Sequence, residues 1–207
     1  MHAPLARHAR LDLVLLGLAL ALLLWVPAAR AANPSANLDQ CANGSAPSPS
    51  TDGCDSSASE WVNGNVNGSK ANYLEGDSLP YRMTFGNLST SGSHEVTIEW
   101  DTTKGGKHAL DYLTTYNRTV ATADPCLGVS GCSTSSTFPI PADPQVTGAG
   151  VTPVAGVFTL FGGTITGVSA YSGGASFPAG DNARRITITF TAAVANPVLA
   201  WGGHIAS

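Results

Sequence analysis

HEVTIEW, residues 94–100, carries the clearest structural signal in the chain. Its apolar residues alternate with polar ones, so that one face of an extended chain would carry Val96, Ile98 and Trp100. A period of two over this length is typical of a strand with one face buried and the other in water. The same alternation recurs in RITITFT, residues 185–191. Both stretches predict half-buried strands of an antiparallel sheet.

Shorter stretches extend this pattern along the chain. Strand-like runs occur at residues 79–85, 158–161, 164–168 and 198–205. They are separated by turns rich in glycine, asparagine and proline, which favours an antiparallel β-sandwich of the immunoglobulin-like or jelly-roll-like kind. One stretch departs from the pattern. GKHALDYLTTYN, residues 106–117, places Ala109, Leu113 and Tyr116 at helical spacing and predicts one short helix.

The first 31 residues predict export. A basic start containing Arg7 and Arg10 precedes an apolar run over residues 11–26, and Ala29-Arg30-Ala31 follows it. That order is typical of a cleaved secretory signal peptide, and we therefore expect a secreted or cell-surface protein. Residues 32–59 are rich in serine, proline and glycine and predict an irregular segment. Residues 60–207 would then form the β-sandwich. An apolar run continues almost to residue 207. We therefore expect that the domain is truncated at this end, or that the chain is the first module of a longer protein.

Charge argues against nucleic-acid partners. The chain carries a formal charge of −4 and only 12% charged residues, and removal of the predicted signal peptide leaves a more acidic remainder. Arg184-Arg185 is the one basic doublet after residue 31. Nucleic-acid binding needs a clustered basic face, which this composition does not supply. We also expect no membrane span after residue 31, because no apolar run there is long enough.

Four cysteines, Cys41, Cys54, Cys126 and Cys132, follow the predicted signal peptide. An even number in an exported chain favours disulfides, and three pairings are open. We favour Cys41–Cys54 and Cys126–Cys132, because each pair brackets a loop-like segment. A zinc site is the alternative, but neither pair has the close spacing typical of zinc ligands.

Two groups of polar residues are candidates for a metal. Asp101, His108 and Asp111 could combine carboxylate and imidazole ligands if His108 and Asp111 share a helix face. The other interpretation is a turn at Asp101 and a helix end at Asp111. Glu75 and Asp77 flank a glycine and could bind calcium through oxygen. Turn formation before Pro80 explains the same pair. We therefore expect no obligatory cofactor, with calcium as the metal to consider.

Aromatic residues raise the possibility of sugar binding, since flat exposed rings stack on sugars. Trp100 and Trp201 lie within apolar runs and are expected in the core. Tyr112, Tyr116 and Tyr171 remain as candidate ligand-binding residues. For catalysis we find no candidate residues, because no nucleophile elbow or phosphate-binding loop occurs.

Three segments carry a resemblance to a known family: YLEGDSLPYR (73–82), IEWDTTKGGKHALDYLTTYN (98–117) and VLAWGGHIAS (198–207). The chain resembles a β module near the N-terminus of large bacterial secreted and surface proteins, over most of residues 37–207. In such proteins, immunoglobulin-like repeats often follow. The resemblance implies an extracellular β module and assigns no activity.

These observations predict an exported, non-catalytic structural or adhesive module of a bacterial surface or secreted protein. A carbohydrate-binding domain, supported by calcium, is the alternative, and a secreted hydrolase is a third. The partner could be a glycan or a cell-surface protein. Which of these three functions holds depends on the side chains that the folded chain exposes on its surface.

Overall fold

Two antiparallel sheets are built from the alternating stretches. The computed structural model describes residues 32–45, 53–132, 134–174 and 180–206, and Asn33–Ser207 form one compact unit. The predicted mainly β, sandwich-like fold is confirmed. The predicted signal peptide lies outside the described residues.

The strands follow one another along the chain with little helix between them. They are β1 (Ser35–Cys41), β2 (Trp61–Asn63), β3 (Ser78–Gly86), β4 (His94–Lys104), β5 (Lys107–His108), β6 (Leu110–Thr114), β7 (Ser135–Pro139), β8 (Val157–Phe161), β9 (Gly163–Val168), β10 (Ser172–Gly173), β11 (Asn182–Ala192) and β12 (Val198–Ile205). Helical structure in the described residues consists of a 3-10 turn at Ala58–Glu60 and a short helix, α1, at Pro144–Gly148.

The two sheets differ in width. The large sheet has the order β2-β1-β3-β12-β8-β7, with β6 also paired to β12. The small sheet has the order β10-β11-β4-β5, with β9 also paired to β11. The small sheet is narrower because it has five strands against seven, and two of the five, β5 and β10, contain only two residues each. One flank of the large sheet, β1 and β2, is therefore free to extend beyond the small sheet.

The main core lies between the sheets. The alternation in β4 and β11 is confirmed: Ile98 and Ile186 are direct cross-strand neighbours and both are buried. Full burial of a side chain of this size contributes about 1.5–3 kcal/mol. The core residues come from both sheets and include Phe85, Ile98, Trp100, Leu113, Phe158, Leu160, Ile165, Ile186, Ile188, Phe190, Leu199 and Trp201.

The predicted helix over residues 106–117 is wrong, because this segment forms β5 and β6. Gly105 and Gly106 both have positive φ and make the turn that leads from β4 into β5. In β6, Leu110 pairs with Ile205 and Leu113 with Gly203, so Asp111 and Tyr112 together oppose one residue of β12. This β-bulge places Leu110 and Leu113, three residues apart, against the same core and so imitates helical spacing.

The predicted irregular segment over residues 32–59 is also wrong in part. Residues 35–41 form β1, which pairs with β3 from Ser35↔Gly86 to Gln40↔Tyr81. Its buried residues are Asp39 and Cys41, while Leu38 on the other face is exposed. In β1 the apolar Leu38 is exposed and the charged Asp39 is buried, which is the reverse of the usual pattern. The sequence of residues 35–41 therefore gave no strand signal. Residues 46–52 of this segment lie outside the described residues.

A second, smaller core covers the outer face of the large sheet. It contains Cys41, Cys54, Trp61, Val120 and Ala123. The structure contains the Cys41–Cys54 and Cys126–Cys132 disulfides, the pairing favoured from the sequence. The segment around the second disulfide is tied to β3 by Arg82, whose Nη1 donates to the carbonyl oxygens of Pro125 and Leu127 at 3.1 and 2.7 Å.

Candidate functional site

A groove of about 470 Å³ opens between the two sheets beside β4. We call it the β4 groove. Leu38 on β1 and Tyr81 and Met83 on β3 form its floor on the large sheet, and Trp201 extends that floor. Its wall is a continuous run of β4, residues 97–101. Consecutive residues of a strand can all border one groove only along the strand's edge, since their side chains alternate between the two faces.

The floor of the groove is the inward face of β1, which no strand of the described residues covers. Leu38 pairs with Met83, so both side chains lie on the face that carries the core, yet Leu38 is 41% exposed. Gln40, two residues on, lines the same groove. The unequal width of the sheets therefore leaves apolar surface open along β1 and β3.

The edge of β4 that borders the groove is unpaired over most of its length. β4 pairs with β11 over residues 94–103. On its other side, within the described residues, it pairs with β5 through Thr103 and Lys104, and the Thr102 carbonyl accepts from Ala109 N at 2.9 Å. An unpaired edge presents backbone donors and acceptors to its surroundings.

Hydrogen bonds on β11 identify which β4 residues point toward this edge. Thr187 uses its backbone on the side away from β4: its carbonyl accepts from Ser169 N and its amide donates to Ser169 Oγ, both at 2.9 Å. Its cross-strand neighbour Thr97 therefore belongs to a non-hydrogen-bonded pair, in which both backbones point away from each other. The backbone N–H and C=O groups of successive residues point to alternate sides of a strand. Those of Glu95, Thr97 and Glu99 therefore all point toward the free edge.

Three aromatic side chains line the groove, and the two tryptophans among them are almost fully buried. The rings of Tyr81 and Trp201 stack on each other, with centroids 5.7 Å apart and planes 7° apart. Trp201 is 3% exposed and Trp100 is 6% exposed. The indole N–H of Trp100 has no hydrogen-bond partner in the described part of the chain. Burial also raises the pKa of Tyr81 to about 12. The predicted placement of both tryptophans in the core is confirmed.

The outward side chains along the β4 edge are predominantly acidic. Glu99 forms an exposed ion pair with Arg185 on β11, while Glu95 accepts a hydrogen bond from the Thr189 hydroxyl at 3.4 Å. Asp101 lies 3.8 Å from Lys104, which also contacts Asp181 at 3.3 Å. The free part of the edge therefore carries negative charge beside an apolar floor.

A second polar cluster lies at the β6 bulge. His204 of β12 opposes the bulge: its Nδ1 is 3.2 Å from Asp111 Oδ2, and its ring stacks on Tyr112 at 4.4 Å between centroids. Burial raises the pKa of Asp111, and His204 and His108 lower it to a smaller extent. Ser78 is the cross-strand neighbour of His204, but its hydroxyl is fully buried and has no hydrogen-bond partner within the described ranges. A serine nucleophile activated by His204 would donate a hydrogen bond from its hydroxyl to the imidazole, and the Ser78 hydroxyl makes no such bond.

The structure does not bring the predicted metal ligands into one group. Asp101 lies on the exposed edge beside Lys104, and His108 is exposed on β5 but close enough to Asp111 to affect its pKa. Asp77 Oδ2 accepts from Leu74 N at 2.8 Å and so shapes the turn that contains Glu75. Among the described residues, no three histidine, cysteine, aspartate or glutamate side chains are grouped for metal binding.

The three predicted ligand-binding tyrosines are not exposed platforms. Tyr112 is 5% exposed and stacks on His204. Tyr116 packs against the smaller core and meets Phe161 edge-on. Tyr171 is partly buried and its hydroxyl donates to Pro141 O at 2.7 Å. Sequence reasoning missed these groove residues: Leu38 and Gln40 lie in β1, which gave no strand signal, and Tyr81 lies in a predicted strand whose exposure depends on strand order.

Comparisons with protein-family models, with curated proteins and with solved structures find no match. Within the described ranges, no helix combines the length and apolar character needed to cross a membrane. The two disulfides indicate folding in an oxidising, extracellular type of environment.

Proposed function

We propose that this protein is an exported, non-catalytic adhesive module that holds a partner in the β4 groove. The observation that carries the proposal is an open groove whose apolar floor lies beside an unpaired strand edge. Both features attract ligands: apolar surface gains from burial, and free backbone groups gain hydrogen bonds. The disulfides support an extracellular place of work.

A protein partner accounts for the groove better than a glycan does. Sugar-binding platforms present the flat face of an aromatic ring to solvent, and the rings of Tyr81 and Trp201 stack against each other instead. The polar lining includes Gln40, Asn65 and Glu99, groups that bind a polypeptide as readily as a sugar. Backbone donors and acceptors along β4 complement another backbone.

Export follows from the predicted signal peptide and is tested separately. Expression of the full chain in a bacterium, followed by N-terminal sequencing of the product outside the cytoplasm, should give a mature chain beginning at Ala32. Retention of the full-length product in the cytoplasm, with its cysteines reduced, would contradict export.

Adhesion is tested with beads coated with the oxidised chain and applied to cells of the producing organism. We expect attachment, and we expect Leu38→Arg to reduce it, because this substitution places a large charged side chain on the groove floor. Leu74→Arg is the matched control, since Leu74 is 67% exposed and is not part of the groove lining. Equal attachment of both variants and the unchanged chain would remove the groove from the proposal. No attachment above that of uncoated beads would contradict adhesion itself.

A further inference from the structure

The free edge of β4 fits one kind of occupant, and this inference rests on the proposed function of the β4 groove. Glu95, Thr97 and Glu99 direct their N–H and C=O groups away from β11, as the Thr187–Ser169 hydrogen bonds require. Within the described residues, no strand pairs with β4 at these three positions on that side, and no turn or loop hydrogen bond reaches their backbone groups. Water satisfies these groups in the free chain, and an extended backbone is the ligand whose donors and acceptors match their spacing along the strand.

The floor of the groove specifies the inward side chains of that occupant. A strand added beside β4 would lie opposite β1 and β3, where Leu38 is 41% exposed although it faces inward. Alternate residues of the added strand would contact Leu38, Tyr81 and Met83. Apolar residues at these positions would bury apolar surface of both partners.

The acidic edge specifies the outward side chains. Cross-strand neighbours on one face lie close enough for opposite charges to attract and like charges to repel. Glu95 has no cationic partner among the described residues, and Glu99 has a cation on its β11 side alone. Lysine or arginine at alternate positions of the added strand would therefore complement this edge.

A second copy of this chain fits the edge poorly. Two β4 strands pairing antiparallel about Thr97 would place Glu95 of each copy opposite Glu99 of the other. Like charges directly opposite each other are destabilising. The negative charges of Glu95 and Glu99 therefore disfavour pairing with a second copy and favour pairing with a basic strand.

We propose that the β4 groove binds an extended polypeptide segment, with basic residues alternating with apolar ones, as an additional strand of the small sheet. The segment's basic residues oppose Glu95, Thr97 and Glu99 and hydrogen-bond to their backbones. Its apolar residues cover Leu38, Tyr81 and Met83. The groove thus recognises a class of sequence by backbone pairing, side-chain polarity and charge together.

Synthetic peptides test the proposal directly on the oxidised full chain, with calorimetry as the readout. KVKVKVK should bind, and EVEVEVE should bind at least about tenfold more weakly, because its charges repel the edge. In the added strand, the lysine amides face β4 and the valine amides face solvent. N-methylation of two central lysine amides should therefore weaken binding by about tenfold, through two lost hydrogen bonds. N-methylation of two central valine amides is the matched control and should have little effect.

Variants of the protein test the same edge. Thr97→Pro removes an amide that the small sheet does not use, so the variant should fold while losing affinity for KVKVKVK. Thr97→Val keeps the amide and should retain the affinity for KVKVKVK that Thr97→Pro loses. Glu95→Gln should weaken binding of KVKVKVK and should not weaken binding of EVEVEVE. The N-methylated peptides decide the question with unaltered protein, even if the proline variant fails to fold.

Several results would overturn the proposal. Equal binding of the two charge-opposed peptides would contradict recognition of basic residues by the acidic edge. Equal binding of the two N-methylated forms would contradict strand addition. A dimer that Thr97→Pro converts to a monomer in sedimentation would make a second copy the occupant. Displacement of the peptide by soluble polysaccharide, with no effect of Thr97→Pro on polysaccharide binding, would make a glycan the occupant. Bead attachment that responds to Leu38→Arg but not to Thr97→Pro would leave the adhesive function standing without strand addition.

Discussion

Asp143 and Arg184 form a buried, two-pronged ion pair at one end of the sandwich. Arg184 Nε and Nη2 donate to the two carboxylate oxygens of Asp143 at 2.8 and 2.9 Å, and both side chains are at most 4% exposed. Asp143 also caps α1 by accepting from Gln145 N. The pair therefore fixes the segment between β7 and β8 to β11.

Removal of one partner should be costly. We expect Asp143→Ala to lower the free energy of unfolding by about 3–5 kcal/mol, because it leaves an unpaired buried charge. Urea unfolding measures this. The double variant Asp143→Ala, Arg184→Met should recover part of the loss, since no charge then remains buried. A double variant that is less stable than the sum of the single effects predicts would contradict this reasoning.

Arg82 should not tolerate lysine. Its Nε donates to Asp39 at 2.9 Å, its Nη1 reaches two carbonyl oxygens, and its guanidinium lies over the Trp61 ring at 4.9 Å. A lysine cannot reproduce this planar arrangement, so Arg82→Lys should lower the free energy of unfolding by about 2 kcal/mol. Arg185→Lys is the control: that ion pair is about half exposed, and we expect a change below about 0.5 kcal/mol. Equal effects of the two substitutions in urea unfolding would contradict the assigned role.

The Cys41–Cys54 disulfide should contribute substantially to stability. The bond closes a loop with a sequence separation of 13, and both cysteines are fully buried in the smaller core. Replacement of both by alanine should cost about 3 kcal/mol on chain-entropy grounds. The Cys126–Cys132 pair closes a loop with a separation of only 6, so its replacement should cost less. Thermal unfolding of both double variants measures the difference, and the reverse order would contradict the account.

Asp111 should make stability depend on pH in a defined direction. Burial raises its pKa in the folded state, so the folded chain binds more protons than the unfolded chain in the window that begins near an unfolded pKa of about 3.9. Its contribution is therefore favourable at low pH and is lost as pH rises through the folded pKa. The stability difference between the unchanged chain and Asp111→Asn should fall across this window.

Asp181 supplies the control of opposite sign. Hydrogen bonding from the Gly105 amide and the nearby Lys104 hold the pKa of Asp181 below its usual value. Relative to Asp181→Asn, the unchanged chain should therefore become less stable as pH falls below the unfolded pKa. Urea unfolding across the acidic range measures both variants. The same slope for Asp111 and Asp181 would contradict the burial of Asp111.

Sequence patterns predicted the strands with two distinct faces and missed those without. β4 and β11 alternate cleanly because their outward faces meet solvent and their inward faces meet the core. β1 inverts that pattern: Asp39 is buried because Arg82, from another strand, pairs with it. No local reading of residues 35–41 contains that partner. The bulge in β6 likewise depends on β12, which lies far away along the chain.

The groove was beyond local patterns for the same reason. Tyr81, Met83 and Ile98 were predicted as strand residues, whereas Leu38 and Gln40 fell in the segment predicted to be irregular. The opening of the groove depends on the large sheet extending past the small one. Trp100 and Trp201 were correctly predicted to lie in the core. That they also line the groove depends on the arrangement of the two sheets around them. Strand order is set by pairings across long sequence separations, which hydrophobic periodicity does not encode.

Amide hydrogen exchange along β4 of the free, oxidised chain measures whether the edge beside the β4 groove is open. If the edge is open, the amides of Glu95, Thr97 and Glu99 should exchange rapidly. Those of Val96, Ile98 and Trp100, which bond to β11, should be protected to the level of the core. Uniform protection along residues 95–100 would mean that the edge is already covered, and would contradict the open groove on which the account depends.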